Sequence, residues 1–352
     1  MPPPSGKIQP ARMISAVIPT HNGRELLDIV LGSLAAQTRL PEEIVVVDDA
    51  SSDNTVAHLK ERWPQVRVVA LERNVGVTAA LNRCMAEARG ELVLLLNNDV
   101  ELDPACVAEL EAALAAAPGA AVAAAKLRDY THRELLDGAG DGYTWAGLPF
   151  RRGQGEIDRG QYDADTVVFG ACAAAALYRA SALADVGPFD EQFFAYNEDA
   201  DWCLRAQLAG YGARFVPTAI AYHVGSASLG PRISEFSLYQ NWRNQLWTVA
   251  KCYPAAAFVR HGPDLVAGQL ANLLVAVRQR CVGAWLRAWR DALAGMPAAL
   301  RKRRAIQQRR RHGLRELEPV IDGAFARARW WLGGSGRHHA ATVRRPPQEE
   351  RR

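Results

Sequence analysis

The sequence predicts an α/β protein built on a mostly parallel sheet, and three observations carry that prediction. Over the first hundred residues, short β-branched runs alternate with segments of helical spacing. The strand-like runs are apolar throughout rather than alternating, so both faces of the sheet are covered. Each run also stops at polar residues: Pro19 and Thr20, Asp48 and Asp49, Asn74, and Asn97 to Asp99. Right-handed crossovers bring such strand ends to one edge, where open α/β sheets bind their ligands.

The elements follow in order. ISAVIP (14–19) is the first strand, and residues 24–37 form a helix with Leu26, Leu27, Val30, Leu31 and Leu34 on one face. EIVVVDD (43–49) is the second strand. DNTVAHLKERW (53–63) is a helix with Ser52 or Asp53 as N-cap. VRVVAL (66–71) is the third strand, and the helix over 77–89 stops at Gly90. ELVLLL (91–96) is the fourth strand. An Ala-rich stretch (112–125) precedes a polar, Gly-rich region, 127–165, which reads as hairpins and loops over the ligand edge. VVFGACAAAALYR (167–179) and ARFVPTAIAYHVG (213–225) read as further strands. Between them, residues 181–187 form a helix ending at Gly187, and an acidic helix start lies within 188–210.

Composition narrows the class. Apolar residues make up 49 %, enough for a sizeable core. The six cysteines (84, 106, 172, 203, 252, 281) contain no CxxC pair, so neither a zinc knuckle nor a disulfide framework is expected, and a reducing cytoplasm fits. No apolar leader region opens the sequence, and no 18-residue apolar run suggests a spanning helix. Charge is split. Residues 256–352 carry 20 Lys+Arg against 7 Asp+Glu, a net +13, whereas 1–255 carry 22 against 31, a net −9. An acidic body with a basic tail implies two tasks.

Four places could carry chemistry. Asp48, at the tip of the second strand, can accept from a base N–H or a ribose hydroxyl, or cap an Asx turn. The cluster Asn97, Asn98, Asp99, Glu101 and Asp103 follows the fourth strand. A carboxylate beside a sugar diphosphate is repulsive unless a divalent cation lies between, and Mg²⁺ or Mn²⁺ takes few hard protein oxygens, which Asp99 suits. Asp103 and Pro104 read as the start of the next helix, and Asn98 and Glu101 as solvated. In NEDADW (197–202), Asn197 reads as an N-cap, but three acids in four positions after Phe193, Phe194 and Tyr196 exceed what capping requires. A carboxylate there can act as a general base. Trp202 offers a flat face to a sugar ring, or belongs to the core. His223 closes a strand and gains a role only if it faces the metal.

Taken in order, IPTHN (18–22), VVDDASSD (46–53), RNVG (73–76), LLNND (95–99), GPFDEQFFAYNEDADWCLRAQLAG (187–210) and YHVGSAS (222–228) resemble the family 2 glycosyltransferases of the GT-A fold. The likeness covers roughly residues 13–255 and runs most toward the bacterial rhamnosyltransferase branch. NND stands where the fold usually has acid–x–acid, which leaves Asp99 as the main ligand. The resemblance implies that Pro19 and Thr20 flank the nucleotide and that Asp48 binds the pyrimidine or ribose. Asn74 and Gly76 would line the nucleotide loop, with Asn97 beside them. Asp99 and His223 would hold Mg²⁺ or Mn²⁺. Asp199 would be the catalytic base with Glu198 in support, and Trp202 and Asp201 would meet the acceptor. It implies an inverting hexosyl transfer from dTDP-rhamnose or a UDP-hexose to a glycan or polyprenyl-linked acceptor.

The sequence thus divides into an unstructured start (1–12), a GT-A domain (13–254), a helical region (255–332) and an unstructured tail (333–352). Trp285 and Trp289 share a helical face among Arg-rich turns, which suits an anionic membrane surface at the inner face of the cell membrane. Packing as core, or self-association, are alternatives for the same helices; no nucleic-acid module is recognisable. Two other functions stay open at this point: an inactive GT-A scaffold at the membrane, and a sugar nucleotidyltransferase. The latter is disfavoured because THNGRE holds one Gly and one Arg where a phosphate loop would stand.

Overall fold

A computed structural model describes residues 12–225 and 234–323. The expected unstructured ends, and Ser226 to Ser228 of the last motif, lie outside the described residues.

The parallel half forms as the apolar runs predict. β1 (Ile14–Thr20), β2 (Glu43–Asp48), β3 (Arg67–Ala70) and β4 (Leu92–Leu96) are separated by α1 (Arg24–Ala35), α2 (Thr55–Arg62) and α3 (Val77–Glu87). β1 pairs in parallel with both β2 and β4, and β2 with β3. All five residues of β4 are buried, because helices cover both faces. Two apolar clusters, one on each side of the sheet, hold Val17, Val47 and Leu95 against Ile18, Val46 and Leu94. Alternate residues of one strand face opposite layers.

The second half is mixed. β5 (Val100–Leu102), α4 (Cys106–Ala116), β6 (Ala120–Asp129), β7 (Leu136–Ala139), β8 (Asp141–Thr144), β9 (Pro149–Arg151), β10 (Val167–Val168), β11 (Ala175–Arg179), α5 (Ala180–Val186), α6 (Glu198–Leu208) and β12 (Gly212–His223) follow. The main sheet runs β10-β12-β6-β11-β4-β1-β2-β3. β11 is antiparallel to β4 and β6, while β12 runs parallel to β6 and antiparallel to β5. The strand expected over 167–179 is two strands with a break. At the break Gly170 lies against Cys203 of α6, where an added Cβ would meet the Cys203 side chain at 2.7 Å.

A helical layer completes the fold: α7 (Glu235–Cys252), α8 (Ala255–Arg260), α9 (Gly262–Arg278), α10 (Val282–Arg309) and α11 (Leu314–Leu317), then β13 (Ile321–Asp322). β13 joins β8 and β9 in a small second sheet. The layer begins at Glu235, so the boundary expected at 254 falls inside it. α7 is long and packs along α10, with Trp247 donating to Ala292 O. Among the described residues, no helix is long and apolar enough to cross a membrane.

Candidate active site

The parallel register aligns the strand ends. Thr20 pairs with Asp48 across β1 and β2, and β4 leads directly into Asn97 to Asp99 beside them. Thr20 is buried and its hydroxyl accepts from Asn98 Nδ2 at 2.9 Å. Asn98 is therefore a bonded, buried residue rather than the solvated one expected. The THNG turn needs Gly23 for this contact: a Cβ there would lie 2.2 Å from Asn98 Nδ2.

Asp48 is 2 % exposed. Its Oδ2 accepts from Ser51 N at 3.0 Å, while Oδ1 is buried without a partner. An unsatisfied buried carboxylate oxygen is costly and calls for a donor from a ligand. Asp49 has a different task. It accepts from Val75 N (2.7 Å) and Gly76 N (3.0 Å), and so fixes the loop that carries Asn74 and Gly76. Asn74 is exposed and its Oδ1 accepts from Gly76 N at 3.2 Å. Pro19 sits half-buried one residue before Thr20.

At the other side of the edge, His223 ends β12. Its Nε2 lies 3.3 Å from Asp99 Oδ1 and 3.4 Å from Asn97 Nδ2, and its Nδ1 donates to Asp137 Oδ2 at 2.7 Å. Burial lowers the imidazole's pKa, but Asp137 and Asp99 together outweigh it and raise it above the usual value. A carboxylate oxygen and an imidazole nitrogen face each other, with the second ring nitrogen tied to a further carboxylate. That donor set, with its bracing partner, fits a divalent cation. Asn97 contributes an amide, not a second charge.

Asp137 is also the partner of Arg151, whose Nη2 lies 2.9 Å from Cys172 Sγ. Beyond Arg151, Asp141, Cys172 and Asp199 present ligand-type atoms within 4.8 Å of one another. A polar chain thus runs from Asp99 through His223 and Asp137 to Arg151 and Cys172, and Asp199 lies within 4.8 Å of Cys172. Asp199 is partly exposed and Glu198 is buried. Burial, opposed by Ala200 N–H and Arg151, raises the pKa of Asp199. Burial and then the charge of Asp199 push Glu198 up to about 8. Burial and Asp199 push Asp141 up to about 7 against Arg151. Asp199 and Glu198 thus raise each other's proton affinity on top of burial, and the two carboxyls titrate as a pair.

Two expected acceptor residues are corrected. Trp202 is wholly buried, edge-on to Tyr178 at 5.3 Å, with its Nε1 donating to Gly187 O. Asp201 is wholly buried and paired with Arg205 (2.9 Å) and Lys251 (2.8 Å). Both lie on the inward side of α6 and cannot touch a ligand at the edge. Asn197 stands at the N-cap position, yet its side chain makes no capping bond and instead donates to Asn241. The residues that sequence reasoning missed are Asp137, Asp141 and Arg151, from the region read as hairpins and loops, and Cys172, from the segment read as one strand. The recurring Asp-Gly pairs in LDGAGDGY were the available signal.

A mixed sheet with a buried Asp at one strand tip, a braced Asp–His pair, and a carboxylate pair opening a facing helix defines a sugar transferase of the GT-A class. The chain carries a family 2 glycosyltransferase domain: residues 15–187 match the family model described as Glycosyl transferase family 2. It is 28 % identical over 244 residues to the N-acetylglucosaminyl-diphospho-decaprenol L-rhamnosyltransferase of Mycobacterium tuberculosis, covering 62 % of this chain and 78 % of that one. Among solved structures, the fold is similar to GalNAc-T7 with UDP, GalNAc and Mn²⁺. The TM-score is 0.59 at 17 % identity, over 75 % of this chain and 51 % of that one. It is also similar to S. aureus TarS with UDP-GlcNAc, with TM-score 0.54 and 20 % identity over 84 % and 90 %. The nucleotidyltransferase alternative falls with this assignment.

Proposed function

We propose that the protein transfers a sugar, with inversion, from a nucleoside diphosphate donor to a hydroxyl of a cell-surface or lipid-linked saccharide. The observation that carries this is the polar chain from Asp99 to Arg151 and Cys172, with Asp199 beside its far end, which supports a cation-type donor set and an ionisable base serving one site. Asp48 Oδ1 would accept from the base or ribose, and the 74–76 loop, held by Asp49, would flank the nucleotide. Asp99 and His223 would hold Mg²⁺ or Mn²⁺. When bound, that ion supplies charge neutralisation for the departing diphosphate. Asp199 takes the proton of the acceptor hydroxyl. The oxygen attacks the anomeric carbon from the face opposite the leaving group, and the nucleoside diphosphate departs with the bonding pair.

The rhamnosyltransferase relative favours dTDP-rhamnose as donor, and UDP-hexoses are the next choice. Its name also favours a polyprenyl-diphosphate saccharide as acceptor. Such an acceptor lies at a membrane, and the helical layer offers a matching surface. Phe258, Val259, Val266, Leu270, Leu274, Val277, Val282, Leu286, Leu293 and Leu300 are exposed there. An apolar groove of about 390 Å³ beside them is lined by Leu246, Val249, Phe258, Met296, Leu300 and Arg303. We therefore place the protein peripherally on the inner, anionic face of the cell membrane.

Donor hydrolysis and transfer measured over dTDP-rhamnose and a panel of UDP-hexoses, with Mn²⁺ or with EDTA, test the reading. One donor should turn over in a cation-dependent way, and titration of the free nucleoside diphosphate should tighten with Mn²⁺. Cation-dependent nucleotide binding with no turnover of any donor would instead support a non-catalytic scaffold.

A further inference from the structure

The chain leading into the Glu198–Asp199 pair takes an unusual path. Phe194, Tyr196 and Asn197 have φ of 65°, 69° and 66°. All three are in the left-handed region, which side chains with a Cβ rarely occupy. Such a turn persists only where its surroundings over-determine it. Its own side-chain cap is missing, so the constraint comes from elsewhere.

It comes from α7. Asn244 is wholly buried, and its Nδ2 donates to Tyr196 O (2.8 Å), Ala195 O (2.9 Å) and Phe193 O (3.2 Å). One amide thus gathers three carbonyls of a five-residue turn. Arg243 Nη2 donates to Phe193 O as well, at 2.9 Å. Asn197 Nδ2 donates to Asn241 O and Oδ1, both at 3.1 Å. The Phe194 carbonyl accepts from Thr78 N at 3.1 Å, which ties the same turn to the first residues of α3, behind the nucleotide loop. A buried amide that merely filled core would need two acceptors; this one is shared among three, all on the segment that ends two residues before Asp199.

We infer that Asn244 is a positioning residue: its amide holds the 193–197 turn and thereby aims Asp199. This rests on Asp199 being the base proposed above. None of the Asn244 hydrogen bonds reaches Thr20, Asp48, Asp99 or His223, so its loss should act on turnover more than on donor affinity. Misplacing a catalytic group by about 1 Å costs on the order of 100-fold in rate.

The test compares Asn244→Leu, which keeps the bulk and removes the donors, with Asn272→Leu. Asn272 is an equally buried amide whose Nδ2 donates to Gln245 Oε1 at 3.0 Å, away from the turn. For Asn244→Leu, kcat should fall about 100-fold with the donor KM within about twofold. Amides of 194–201 should exchange with deuterium at least tenfold faster than in wild type. For Asn272→Leu, kcat and exchange in 194–201 should stay within threefold, even where thermal stability drops. Should Asn244→Leu not fold, Asn244→Ser, which retains one donor, carries the comparison with an intermediate loss. Unchanged kcat in the Asn244 variant, or equal exchange in the two Leu variants, overturns the inference. If wild type turns over no donor, or Asp199→Asn stays active, the base assignment fails, while the exchange comparison still decides whether Asn244 holds the turn.

Discussion

At the scale of single residues, adjacent carboxylates can share one site and do different work. Asp199 and Glu198 are neighbours, yet burial and the Asp199 charge hold Glu198 up to about 8. Near pH 7, Glu198 keeps its proton, and the base role proposed for Asp199 requires that Asp199 carry the charge of the pair. A neutral carboxyl is closely mimicked by an amide, and an ionised base is not. Glu198→Gln is therefore expected to keep transfer within about tenfold of wild type, whereas Asp199→Asn should lose about 10²–10⁴-fold in kcat. Both variants should bind nucleoside diphosphate normally by titration calorimetry. Loss of equal size in the two would mean that the charge, and hence the base, is not confined to Asp199. His223 repeats the lesson in reverse. Sequence could say only that a His ended a strand; the facing Asp99 and bracing Asp137 come from positions 124 and 86 residues away.

At the scale of elements, what was legible in sequence follows burial. β1 to β4 were readable because a strand covered on both faces is a continuous apolar run, and their polar ends marked the ligand edge. β7 to β9 were not, because they are short and carry inward-facing Asp137 and Arg151, which look like loop residues until their pairing is seen. α6 misled in part for the same reason: the acids at 198, 199 and 201 look alike in sequence, but the helix turns Asp201 inward. There Lys251 of α7, 1 % exposed in its side chain, joins Asp201 to Asp190, and Lys302 of α10 reaches Asp190 as well. Burial raises the Asp190 pKa, but the two lysines outweigh it and bring it to about 2. A carboxyl lowered on folding stabilises above its unfolded pKa and loses that contribution as pH falls through its folded value. The junction between α6, α7 and α10 should therefore weaken between about pH 4 and pH 2. Lys251→Met leaves Asp201 with Arg205 alone and Asp190 with Lys302 alone, removes the buried cation between the two carboxylates, and should lower the melting temperature at pH 7 more than at pH 3. An equal loss at both values would remove the ion network from the stability of this junction.

At the scale of the whole molecule, charge and apolar exposure point the same way. Fifteen large hydrophobic residues are exposed among those described, and ten of them lie between 258 and 300. On α10, Val282, Leu286, Leu293 and Leu300 recur at spacings of four and seven, which is one stripe of a helix. Arg290, Arg301 and Arg304, all exposed, run along its flank. An apolar stripe with flanking guanidinium groups suits a helix lying in the headgroup region, with each basic residue adding about 1 kcal/mol near an anionic surface. Self-association would use the apolar stripe but gains nothing from like charges beside it. Vesicle co-sedimentation separates the two. The protein should bind vesicles containing anionic phospholipid, bind phosphatidylcholine vesicles weakly, and come off as salt rises. Leu286→Ser with Leu293→Ser should weaken vesicle binding at least tenfold while leaving hydrolysis of soluble donor unchanged, because neither residue touches the nucleotide edge. Binding that ignores lipid charge, together with a concentration-dependent dimer lost in the same double variant, would assign the stripe to a second copy of the chain.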